Sequence, residues 1–93
     1  MIDNTLDKYL VEGKVKNDVK VLTGLISKPK TSKIQVDGED VKITSAGGML
    51  IFEYPSELEE LTYNLIQASD KLKKPYQQIG LRSKGNMKFM IEI

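Results

Sequence analysis

The feature that most constrains this chain is the dipeptide Asp37-Gly38, set between two runs in which apolar and polar residues alternate. Alternation with a period of two marks a strand that buries one face, and Asp-Gly supplies the two left-handed residues that a tight reversal needs. A two-residue turn there pairs Val36 with Glu39 and Ile34 with Val41. Ile34, Val36, Val41 and Ile43 then share one face, and Lys33, Gln35, Asp40 and Lys42 the other. A four-residue loop over 37–40 keeps the same faces, because an even shift preserves side-chain parity.

A second even-numbered reversal, Ser45-Ala46-Gly47-Gly48, leads into Met49-Leu50-Ile51-Phe52-Glu53-Tyr54. The expected register sets Ile43 by Leu50 and Val41 by Phe52, which makes a three-stranded meander. After Pro55, the Ser56 and Glu59 spacing is that of a capping box, and Leu58, Leu61, Leu65, Ala68 and Leu72 form a stripe at helical spacing. Glu57, Glu59 and Glu60 suit the positive end of such a helix, and Lys71, Lys73 and Lys74 its negative end. The predicted helix covers 56–73 and stops at Pro75. Beyond it, 77–82 and 87–93 read as a second hairpin with Arg82 opposite Asn86 and Leu81 opposite Met87, so that Ile79, Leu81, Met87, Phe89 and Ile91 face one way.

The first third of the chain is less decided. Ile2, Leu6, Tyr9 and Leu10 predict a short helix over 4–12, with Asp3 or Asn4 as cap and Gly13 as stop. Over 14–26, Val15, Val19, Val21 and Leu25 alternate as a strand does, whereas Val15, Val19, Leu22 and Ile26 fit a helical stripe; the β-branched content favours the strand. The expected fold is therefore a single α+β domain spanning 1–93. In it an antiparallel β-sheet, meander plus C-terminal hairpin, packs against one long α-helix, with a short N-terminal helix.

Met49, Ile51 and Met90 point to the opposite side of their strands. Either the N-terminal helix covers that side or it is a self-association patch, which makes these residues a candidate protein interface.

Composition closes several chemical routes. With no Cys and no His, the chain has no thiolate nucleophile or metal ligand, no disulfide, and no Ser-His or Cys-His arrangement. Glu53, Glu57, Glu59 and Glu60 are explained by the helix dipole, and Asp37, Glu39 and Asp40 lack the alternate spacing of a calcium loop. Ala46-Gly47-Gly48 precedes a strand rather than opening a helix, so it reads as a turn and not as a phosphate loop. No catalytic residue, metal or cofactor is expected, and no small-molecule substrate is evident.

Charge is uneven along the chain. Residues 1–60 carry eight Lys against eleven acids, while 61–93 carry five Lys and Arg82 against Asp70 and Glu92. Lys71, Lys73, Lys74, Tyr76, Arg82, Lys84 and Lys88 form a candidate nucleic-acid surface, with the last helical turn near the hairpin. Lysines that shield strand edges account for the same residues without any ligand. No apolar run reaches the roughly 18 residues of a membrane span, and Met1-Ile2-Asp3-Asn4 does not read as a secretory leader, so a cytoplasmic location is expected. Two functions follow: an accessory or regulatory protein that binds a protein partner or itself as a homo-oligomer, and a nonspecific nucleic-acid binder.

Overall fold

A computed structural model describes residues 14–28, 33–81 and 85–93. Its elements are β1 (Lys14–Val15), α1 (Val19–Ser27), β2 (Lys33–Val36), β3 (Glu39–Ala46), β4 (Met49–Pro55), α2 (Glu59–Leu72), β5 (Tyr76–Leu81) and β6 (Asn86–Glu92). The strands form one sheet in the order β1-β2-β3-β4-β6-β5. β1 is parallel to β2, and every other pairing is antiparallel. The α+β class and the long helix laid on an antiparallel sheet are as the sequence predicts. The helix expected over 4–12 lies outside the described residues.

The first hairpin has the predicted register, Ile34 with Val41 and Val36 with Glu39. Asp37 and Gly38 both take positive φ, 51° and 83°, as a two-residue turn matched to strand twist requires. The second turn is tighter than expected. Gly47 and Gly48 alone make it, at φ 58° and 79°, so Ile43 stands opposite Phe52 and Ser45 opposite Leu50. The slip from the expected register is two residues, which leaves the apolar face intact.

The last hairpin departs further. Leu81 pairs with Asn86, Gly80 with Met87 and Ile79 with Lys88. The reversal holds four residues, 82–85, instead of three, and an odd slip turns every β5 side chain to the other face. Tyr76, Gln78 and Gly80 therefore share the core side with Met87, Phe89 and Ile91, while Ile79 points outward and is 41% exposed.

The segment expected as a strand over 14–26 is mostly helix. Only Lys14 and Val15 join the sheet, and Val19–Ser27 is α-helical. Asp18 caps it, accepting from the Val21 N–H at 2.9 Å, and Val21, Leu22, Leu25 and Ile26 are buried. A nine-residue helix is too short to stand alone, so packing decides the matter against β-propensity. Burial of those four side chains contributes roughly 1.5–3 kcal/mol each as an upper estimate.

The capping box does not form. α2 begins at Glu59 with Leu58 at its N-cap and no side-chain cap bond. Ser56 instead extends the β4–β6 ladder, its N–H donating to the Gly85 carbonyl at 2.7 Å. At the other end Lys73 turns left-handed at φ 57°, and the Lys74 N–H donates to the Ser69 carbonyl at 2.9 Å. Both helices lie on one side of the sheet and close a single core over Ile34, Val36, Val41, Ile43, Leu50, Phe52, Tyr54, Phe89 and Ile91.

Candidate functional site

The two faces of the sheet differ completely. On the core face, Leu50, Phe52, Phe89 and Ile91 are fully buried under the helices. On the outer face no helix among the described residues lies over β4, β6 and β5. Register places Thr44, Ile51, Met90 and Gln77 in one row across it, and Lys42, Glu53, Lys88 and Ile79 in the next. Met49 sits opposite Glu92.

The candidate interface residues are thus brought together, with Ile51 and Met90 directly opposed and Met49 two residues away on the same face. All three are partly exposed. Ile79, which the sequence assigned to the core, belongs with them on the outer face. The signal that would have found it is the parity of the 82–85 loop. Glu53 is flanked by lysines in both neighbouring strands, Lys42 and Lys88, so opposite charges alternate beside the apolar row.

Of the candidate nucleic-acid residues that the structure describes, Lys88 stands apart from the group at the end of α2. Lys71, Lys73 and Lys74 are exposed at the end of α2, next to the start of β5. The strand then runs about 17 Å to Leu81 at ~3.4 Å per residue. There Gly85 is bonded to Ser56, beside the start of α2 with its glutamates. Tyr76 stacks on Phe89 at 5.2 Å on the core side, and Lys88 is on the outer face. Arg82 and Lys84 lie outside the described residues. The expectation that the last helical turn lies near the hairpin holds at the start of β5, and its extension to Arg82 and Lys84 falls outside the described residues.

A groove of about 460 Å³ runs along the flank of α2 that faces away from α1. Ser56, Glu59, Thr62, Tyr63, Ile66 and Met87 line it, and Tyr63 is 61% exposed. Thr62, one of the lining residues, shares a hydrogen bond of 2.6 Å with the hydroxyl of the buried Tyr54. Burial pushes the Tyr54 phenol above its ordinary value, and the bond to Thr62 offsets part of that rise. The pair holds the helix to the sheet. Among the described residues no three acids converge in a manner that holds a metal ion, and no helix is long and apolar enough to cross a membrane.

Among the described residues no strand covers the outer edge of β5, whose Ile79 belongs to the outer face. β5 is a six-residue strand with no charged side chain, at the border of the sheet. The opposite border is different: among the described residues β1 covers β2 with Lys14 and Val15, and Lys33, Asp40 and Lys42 crowd the outer face beside it. Lys33 and Asp40 form an exposed ion pair at 3.8 Å, of the kind worth under about 1 kcal/mol. No protein-family model, no curated protein and no solved structure matches the chain.

Proposed function

We propose that the chain is a non-catalytic protein-interaction module, accessory or regulatory to a larger process, and that its outer sheet face receives the partner. The observation that carries this reading is the row of Ile51 and Met90, with Met49 and Ile79 beside it, on a face that no described element covers. An apolar strip bordered by Glu53, Lys42 and Lys88 matches the composition of a small protein interface, with an apolar centre and a charged rim. The nucleic-acid alternative draws less support, since among the described residues Lys88 stands apart on the outer face from the lysines at the end of α2, and the aromatic ring is stacked on Phe89.

A photo-crosslinking residue introduced at Ile51 or Met90 tests the reading in the native host, with Lys20 and Gln67 as control positions. The expected result is a discrete protein adduct from 51 and 90 and none from the controls. Equal labelling at all four positions, or none at any, overturns it.

A further inference from the structure

We infer that β5 pairs with β5 of a second copy, antiparallel about a two-fold axis at Gln78, so that two sheets become one. The inference rests on the reading of the chain as a protein-interaction module and adds to it a second surface, the β5 edge, with a second copy as its partner.

Backbone phase is the first argument. The Glu92 N–H donates to the Pro75 carbonyl at 3.0 Å, which makes 75 and 92 a hydrogen-bonded pair. Register is constant from Tyr76–Ile91 to Leu81–Asn86, so hydrogen-bonded pairs alternate without a bulge. Residues 77, 79 and 81 therefore turn their N–H and C=O groups to β6, and Tyr76, Gln78 and Gly80 turn theirs to the free edge. An antiparallel mate must use those three residues. Only a dyad at Gln78 uses all of them, joining Gln78 to its own counterpart and Tyr76 to Gly80 of the second copy, for about six new backbone hydrogen bonds. A dyad at Gln77 or Ile79 uses fewer.

Gly80 is the second argument. Its backbone does not have positive φ, and a Cβ built on it meets nothing within 4 Å. Nothing within the described chain asks for glycine there, although glycine weakens a strand. In the inferred register it lies opposite an aromatic ring, Tyr76 of the second copy, and leaves the space that such a ring covers in aromatic rescue of an edge glycine.

Chemistry of the edge is the third. Strand edges are kept from pairing by lysine, proline or bulges, and Tyr76–Leu81 has none of these. Ile79, on its outer face, is one of the exposed large apolar side chains. The paired edge is small by the standard of stable interfaces, so the affinity expected is of micromolar order.

Sedimentation of the full chain up to about 1 mM, where even a millimolar association is half complete, reads the dimer directly. The expected mass rises from 10.5 kDa to about 21 kDa, twice the chain. Gln78→Pro deletes an edge donor and no bond to β6, and Gly80→Lys puts a charge into open space; each should restore the 10.5 kDa species while circular dichroism stays unchanged. Because the chain lacks Cys, Gln78→Cys supplies a single thiol. It should form an inter-copy disulfide at a Cα separation of about 5.5 Å, whereas Gln77→Cys, about 7–8 Å from its counterpart, should not. A strict monomer overturns the inference, as does a dimer indifferent to both edge variants or a disulfide at 77 in preference to 78. A monomer that still gives adducts from Ile51 removes the dimer alone, and a monomer without them removes the interaction reading as well.

Discussion

Tyr76 and Phe89 stack with ring centroids 5.2 Å apart and planes 13° from parallel, although they are not opposite each other in the ladder. Gln78 is the residue opposite Phe89, and Tyr76 is opposite Ile91, so the contact is a diagonal one. It fixes the face on which all of β5 presents its side chains. Phe89→Ala removes the fully buried ring of this pair and should cost about 3–5 kcal/mol by urea denaturation. Tyr76→Ala, from a half-buried site, should cost about 1–2 kcal/mol, and Tyr76→Phe almost nothing.

The two helices share one core. Leu22 of α1 and Leu65 of α2 are both fully buried, and Asn64 of α2 donates to the Asn17 carbonyl at 3.0 Å just ahead of α1. Leu22→Ala and Leu65→Ala should each destabilise by about 2–5 kcal/mol. Leu22→Ala should also melt the helical circular dichroism together with the sheet, as a single transition.

A short helix was not legible over 19–27 because four of its nine residues, Val19, Val21, Thr23 and Ile26, are β-branched. Asp18 three positions before Val21 was the available signal, and it is the cap that forms. The meander was legible because even loop errors leave parity unchanged. β5 was not, because one extra loop residue reverses it. The same slip hid the wider outer face: Met49, Ile51 and Met90 were readable, and Ile79 was not.

Lys73 holds a left-handed conformation at φ 57°, where a side chain costs about 1 kcal/mol relative to glycine. Lys73→Gly should stabilise the protein by about 0.5–1 kcal/mol, read as a higher denaturation midpoint with unchanged slope.

Tyr54 links stability to alkaline pH. Its folded phenol holds the proton more tightly than the unfolded one, whose ordinary value is 10.0. The stabilisation is complete below that value and is lost as pH rises through the folded one. Unfolding free energy should fall above about pH 10, and Tyr54→Phe should flatten that fall while losing the bond to Thr62.

Paramagnetic attenuation of methyl signals by a soluble nitroxide tests most directly whether one side of the sheet is roofed and the other bare. Met49, Ile51, Ile79 and Met90 should lose intensity strongly, and Leu50, Leu65 and Ile91 should lose little. If the outer methyls were as protected as the core ones in dilute monomer, that face would already be covered and could not be the surface that meets a partner.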